Sequence, residues 1–392
     1  MKKKIILSTL LGATTSLMAL GAEQSFLYKD PRIMGMGGAN VAVGGYSSSI
    51  FSNPAGLASI DKKNGYVVDI LNLTLSGSSG FGDFANDISN ANTEEETVKV
   101  LEKYAGDHFH GGVDNYSAVS YNGDSFAWSV GLLASADTNF EVHPNGSTNG
   151  GLLETTSRAY GGVILGAAKE YETQIGRVDI GVGLKFITQK SYEGALGLSD
   201  LVGNDDIVTT LKDKYEQTSS GIGLDLGATY HPFENSMWHP AFGLSVLNIG
   251  DMGMDNYYGQ QPTTVNIGAS VTPEVPYLDK LVLAIDYVDL FNANTIRIYN
   301  YNTATGEIVS FSDYTDSDAI KRLRIGAGFG IVDTQYFSTQ LNVGLYQGAY
   351  TLGLDMAVSI LKLNFATYEE QVGTGSVDIP DRRYVAQLAI GW

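Results

Sequence analysis

Arg177-Val178-Asp179-Ile180-Gly181-Val182-Gly183-Leu184-Lys185-Phe186 alternates strictly: Val178, Ile180, Val182, Leu184 and Phe186 fall on one parity, Asp179, Gly181, Gly183 and Lys185 on the other. In an extended chain successive side chains point to opposite sides, so this stretch is a strand with one apolar face and one face of glycine and isolated charges. A soluble sandwich would turn its apolar face inward and leave a solvated face rich in Lys, Thr and Glu. Glycine with sparse charge instead suits the lumen of a barrel whose apolar face meets lipid.

The pattern recurs along the chain. Ile222, Leu224, Leu226, Ala228 and Tyr230 oppose Gly221, Gly223, Asp225, Gly227 and Thr229, and Leu281, Leu283, Ile285 and Tyr287 oppose Ala284 and Asp286. Leu323, Ile325, Ala327, Phe329 and Ile331 oppose Arg322, Arg324 and three glycines, while Tyr350, Leu352, Leu354, Met356 and Val358 oppose Thr351, Gly353, Asp355 and Ala357. Fourteen such segments are predicted, near 65–75, 113–121, 125–135, 158–168, 177–189, 218–230, 240–249, 263–272, 280–289, 321–331, 337–347, 349–358, 361–369 and 382–392. Strands of about 10 residues joined by alternately short and long connections predict an all-β, transmembrane antiparallel barrel with its long loops outside the cell. Charge on the lipid face is costly, so Lys185, Asp225, Asp286, Arg322, Arg324, Asp355 and Arg383 are assigned to the lumen.

The ends of the chain fit export. MKKK followed by IILSTLLGATTSLMALGA reads as a signal peptide over residues 1–22, with cleavage after Gly21 or Ala22. Losing Lys2, Lys3 and Lys4 takes the formal charge from −19 to −22, which excludes nucleic acid as a partner because phosphates would be repelled. The absence of Cys excludes disulfides, a thiolate nucleophile and Cys-ligated metal sites. At the other end Tyr384, Ala386, Leu388, Ile390 and Trp392 share one face of a strand that finishes on an aromatic residue. This is similar to the terminal signal read by the bacterial barrel-assembly machinery, which implies the outer membrane of a Gram-negative cell, surrounded by its lipid.

Asp30 to Ile60, DPRIMGMGGANVAVGGYSSSIFSNPAGLASI, fits neither a strand nor an ordinary helix. Gly35, Gly37, Gly38, Gly44, Gly45 and Gly56 let its backbone turn tightly and approach other backbone, as a plug within a barrel requires. Asn53 is placed to cap a short helix whose first residue is Pro54. Met-Gly-Met-Gly-Gly-Ala followed by Ser-Asn-Pro-Ala-Gly-Leu resembles the N-terminal hatch of FadL-like outer-membrane proteins, which carry an Asn-Pro-Ala turn inside the barrel. The resemblance implies a hatch over residues 23–62, with Phe51, Ser52, Asn53, Pro54, Ala55, Gly56 and Leu57 as ligand or gating residues, and a barrel over 63–392. Gly223 to Ala228, Ser245 to Gly250 and Ala366 to Glu369 also resemble the branch labelled TraF-like (plasmid transfer), close to PorV-type proteins.

Two long connections, near 81–105 and 199–215, carry predicted helices. Thr93 with Glu96 forms a capping box ahead of Val98, Leu101 and Ala105, and Ile207, Leu211 and Tyr215 align after Asp205. Such short amphipathic helices either lie on the barrel rim or form a capture groove for an apolar ligand. No catalytic constellation emerges. His143 and Ser147 faintly resemble the pair of outer-membrane phospholipases, but the Gly- and Asn-rich backbone between them would not hold them together. His108 and His110 share a parity without further ligands at metal spacing, so neither a metal nor another cofactor is expected. The resemblance thus implies passive uptake of hydrophobic small molecules through a hatch-gated channel. The alternative it allows is a docking or scaffold barrel for an exported-protein partner in secretion or conjugal transfer.

Overall fold

The computed structural model describes residues 26–143, 151–202, 207–233, 236–254, 261–301, 308–334, 336–372 and 379–392. The predicted signal peptide, Ser147 and Asp205 therefore lie outside the described residues.

Fourteen antiparallel strands close into one barrel. In chain order they are β1 (Tyr66–Ser78), β2 (His108–Asn122), β3 (Ala127–Val142), β4 (Leu153–Thr173), β5 (Gly176–Leu196), β6 (Glu216–His231), β7 (Ala241–Ile249), β8 (Thr264–Val271) and β9 (Lys280–Tyr287). They continue, after a separate hairpin of β10 (Ile296–Tyr301) and β11 (Ile308–Tyr314), with β12 (Leu323–Asp333), β13 (Phe337–Tyr346), β14 (Ala349–Val358), β15 (Leu361–Gln371) and β16 (Pro380–Gly391). Each barrel strand pairs with its neighbours, and β16 closes on β1 from Asp69–Gly391 to Ser78–Arg383. Closure leaves no open sheet edge, the condition for strands to cross a bilayer core that offers the backbone no hydrogen bonds.

The apolar parity faces outward. Ile180, Val182, Leu184, Phe186, Ile222, Leu226, Leu283, Ile285, Leu352 and Leu388 are exposed, as a lipid-facing belt requires. At the end carrying the short turns the outer face is ringed by Tyr66, Phe126, Tyr171, Trp238, Tyr277, Tyr336 and Trp392. That ring matches the aromatic girdle of a membrane interface, where an amphipathic ring is at home. β13 joins β14 through Gln347 and Gly348, both with positive φ (51° and 86°), the geometry of a two-residue hairpin whose twist matches the strands.

β4 and β5 each run for 21 residues, well past the predicted bounds. Their outward face stays apolar beyond the belt, and there the loop helices cover it. Helices Phe81–Asn90, Glu94–Lys103 and Ile207–Tyr215 bring Phe84, Leu101, Tyr104, Leu211 and Tyr215 onto Phe109, Phe140, Val142, Leu153 and Leu196 of β2–β5. A Cβ at Gly194 would lie 2.0 Å from the Tyr215 ring, so the glycine is what admits that ring. The helices thus lie against the outside of the wall, and their apolar faces are filled by it. Thr93 caps as predicted, accepting from the Glu96 N–H at 3.2 Å. The helix phase differs, however: Thr97, Leu101 and Tyr104 are buried, while Val98 is half-buried and Ala105 lies exposed beyond the last turn. Arg322 is not part of a wall strand. It ends the 3-10 turn Ile320–Arg322, where its guanidinium donates to the Asp289 carbonyl at 3.2 Å and lies over the Tyr287 ring.

Candidate functional site

The site is built where residues 26–60 meet the inward-facing parity of the wall. The segment holds a helical turn Pro31–Gly35 and two 3-10 turns, Ser47–Phe51 and Pro54–Ser59. Asp30 starts the first turn, accepting from Arg32 N–H at 3.0 Å and from the Arg32 guanidinium at 2.6 Å. Burial alone would raise the Asp30 carboxyl, but the charge of Arg32 and hydrogen bonds from Arg32 and Ser48 outweigh it and hold the group below the usual carboxylate range. Arg32 also lies over the Tyr46 ring at 4.4 Å. Burial, reinforced by the nearby Asp355 carboxylate, pushes the Tyr46 phenol up to about 12.

Glycine explains how the segment fits. Gly44 has φ +67°, and a Cβ there would come within 2.7 Å of the Gly56 Cα, so the two arms of the segment touch backbone to backbone, with the Gly45 N–H donating to the Gly56 carbonyl at 2.9 Å. On the wall a Cβ at Gly181 would meet the Ala55 nitrogen at 2.2 Å, at Gly227 the Asn53 Oδ1 at 1.9 Å, and at Gly243 the Val41 carbonyl at 2.2 Å. Gly181 and Gly227, which marked their strands in the sequence, are thus places where the segment's backbone rests, and Gly243 is a third.

Polar side chains fasten the segment around the barrel. The Asp286 carboxylate on β9 accepts from the Asn40 and Val41 N–H groups at 2.6 and 2.8 Å. Ser245 on β7 donates to the Ser52 carbonyl at 2.6 Å, Ser270 on β8 to Ala42 at 2.9 Å, and Asn122 on β2 to Ala58 and Ile60 at 2.8 and 2.7 Å. Thr351 on β14 both donates to the Gly35 carbonyl and accepts from the Gly37 N–H. Asn53, fully buried, is the most connected of these groups. Its Oδ1 accepts from the Ala55 N–H at 3.0 Å, and its Nδ2 donates to the Val41 carbonyl at 2.7 Å and reaches Ala228 and Thr229 on β6.

Other inward charges are held by ion pairs, amides or aromatic rings. Lys185 and Asp225, both fully buried, lie 2.9 Å apart, and Asn248 joins them by accepting from Lys185 at 2.9 Å and donating its N–H to Asp225 at 2.7 Å. Asn248 reaches this position because a bulge sets Leu224 opposite Ile249 but Leu226 opposite Val246, so that Asn248 is buried beside the inward-facing Leu247. Arg383 bridges Asp381, Glu370 and Asn139, and Lys29 adds a second cation on Glu370 at 2.7 Å. The Arg324 guanidinium lies over the Tyr346 ring at 4.1 Å, and the Asp355 carboxylate accepts from Asn342 at 2.7 Å.

Phe51 is the centre of an enclosed apolar patch. Its ring lies 4.8 Å from that of Tyr116 and 5.6 Å from that of Tyr28, in one cluster with Ile50, Leu133, Ile164 and Ile187. Met252 and Met254 complete it, and sequence reasoning missed both. They enter through the turn Asp251–Gly253, which presses on Gly221 where the β6–β7 ladder has ended. The cavity beside Phe51, lined by Tyr28, Ile33, Met34, Arg324 and Tyr346, measures about 30 Å³, room for water but not for an aromatic ring. A polar vestibule of 230 Å³ opens at the short-turn end between Arg32, Tyr46, Lys280, Asp333, Asp355 and Lys362. Ser52, Pro54, Ala55, Gly56 and Leu57 are buried in the segment, whereas Tyr384 and Leu388 face outward on β16, with Ile390 on the same parity and Trp392 exposed just past its end.

No family model and no curated protein matches the chain. Among solved structures its fold is similar to that of the Ralstonia pickettii toluene transporter TbuX, at 16% identity and a TM-score of 0.52 over 93% of this chain and 98% of that one. It is similar too to the Pseudomonas putida toluene transporter TodX, at 11% identity and a TM-score of 0.52, covering 96% and 99%. A Pseudomonas aeruginosa FadL homologue aligns at 11% identity and a TM-score of 0.50, covering 97% and 99%. At these identities the likeness establishes the fold alone, a closed β-barrel like that of the toluene transporters and the FadL homologue.

Proposed function

We propose that this FadL-like barrel is an outer-membrane channel for the passive uptake of hydrophobic small molecules, with residues 26–60 as its hatch. The observation that carries the reading is the apolar patch around Phe51, Met252 and Met254, enclosed in a wall whose other inward side chains are largely polar. Such a patch offers an apolar solute a partition site between the long-loop end and the polar vestibule. Proteins of similar fold are named as toluene transporters, which supports a small hydrocarbon as the class of solute. The cavity beside Phe51 is too small for a ring, so passage needs the segment to shift, and its hydrogen bonds to separate strands would break at the hatch while the wall's own ladder stays intact.

Uptake of labelled toluene by cells lacking the protein, with and without the restored gene, tests the reading. Restored cells should take up toluene faster, and a Phe51-to-Leu57 deletion should open an ion-conducting pore in a planar bilayer. Uptake equal to that of the deletion strain, with a correctly assembled barrel, would overturn the transport reading and favour the docking alternative.

A further inference from the structure

We propose that the tips of β3 and β4 hold a divalent-cation site formed by Glu141, His143 and Glu154. Glu141 and Glu154 stand directly opposite each other in the β3–β4 ladder, on the inward parity near the long-loop end. Two like charges facing each other across a strand pair repel, and a cation between them removes the conflict. His143, just past the end of β3, brings its Nε2 to 3.3 Å from a Glu154 oxygen and 3.7 Å from a Glu141 oxygen. One ligand atom from each residue fits within 4.8 Å of the other two. Ligands held at 2.0–2.2 Å around a tetrahedral ion are separated by about 3.4 Å, so these side chains need little rearrangement to share one.

A second observation points to a ligand. Glu154 is almost completely buried, yet its Oε1 has no hydrogen-bond partner, while its other oxygen faces the His143 Nε2 at 3.3 Å. An unpartnered carboxylate oxygen of this kind is costly in a protein interior, and a bound cation would satisfy it. The backbone already fixes the geometry, since the His143 N–H donates to the Leu152 carbonyl at 2.8 Å and Leu152 N–H to Leu196 at 2.8 Å. One imidazole nitrogen and two carboxylate oxygens suit a first-row divalent cation of the zinc class, with water in the fourth position. Calcium, which takes six to eight oxygens, is poorly served by three side chains. The ion would tie β3 to β4 where they leave the barrel.

The test uses the full mature chain, untagged, purified in detergent without metal, with folding checked by heat-modifiable mobility. Titration with Zn²⁺ alone should give one saturable equivalent that raises the unfolding temperature. His143→Ala and Glu154→Gln should each weaken that equivalent by about tenfold or more, at least the loss seen when a mere supporting partner of a ligand is removed. His143→Asn serves as a second variant if either fails to fold. Zinc uptake that is unchanged in the folded variants, or no saturable uptake by the folded native chain, would overturn the proposal. Calcium binding that survives His143→Ala, without a zinc equivalent, would overturn it as well.

Discussion

Asn53→Ala separates the N-terminal segment from the wall. The substitution deletes the cap on the Ala55 N–H, which is worth about 0.5–2 kcal/mol at a helix start. It also leaves the Val41 carbonyl without its 2.7 Å donor in a fully buried setting, a further cost of about 1–3 kcal/mol. The contacts to Ala228 and Thr229 are longer and add little, so the segment should lose about 1.5–5 kcal/mol of local stability. Amides of residues 41–58 that exchange by release of the segment should then exchange about 10- to 4,000-fold faster, at 1.4 kcal/mol per factor of ten. Wall amides should be unaffected, because their ladder closes without the segment. Asn53→Ser retains a capping oxygen but cannot reach Val41, and its exchange should fall between the two. Hydrogen exchange read by mass spectrometry on protein refolded into vesicles measures all three. Segment exchange in Asn53→Ala that matches the native protein would refute the role of Asn53, and equal acceleration in the wall would refute the independence of wall and segment.

Three further outcomes follow from the geometry. Leu283→Arg, on the exposed outer face, should cost about 2–4 kcal/mol if it lies at the bilayer midplane, measured by urea titration in vesicles; a cost near zero would contradict the orientation of the wall. Lys185→Met strands the Asp225 charge and should cost about 3–5 kcal/mol in the same titration, whereas the double variant Lys185→Met with Asp225→Leu should recover most of it; a neutral single variant would mean the pair is solvated. Asp30 titrates lower in the folded segment than its ordinary value of 3.8, so its contribution is complete above that value and lost as pH falls through the depressed one. Pepsin cleavage within residues 26–48 should therefore rise only below about pH 3.8, and Asp30→Asn should abolish that pH step; a step at higher pH in the native chain would assign it to another group.

The wall was legible in the sequence because what defines it is local. Alternation with period two, as in Arg177 to Phe186, sets each strand, and a bilayer admits only one closed arrangement of such strands, so strand number, order and outward face all followed from the residues. The hairpin of β10 and β11 escaped notice because it lies in a loop outside the barrel and answers to no such constraint. The strand tips were underestimated for a related reason: beyond the belt, β4 and β5 meet helices instead of lipid, and the two surroundings ask for the same apolar side chains. Glycine on the inner face was visible, but its purpose was not. Only the closed structure brings Gly181 and Gly227 of neighbouring strands against Ala55 and Asn53, more than 120 residues earlier in the chain. In the same way His143 reads alone as a loop residue, and meets Glu154 only because the β3–β4 ladder sets that carboxylate opposite Glu141. Local pattern fixes where a side chain points, whereas what it touches depends on chain closure over long sequence distances, which residue spacing does not encode.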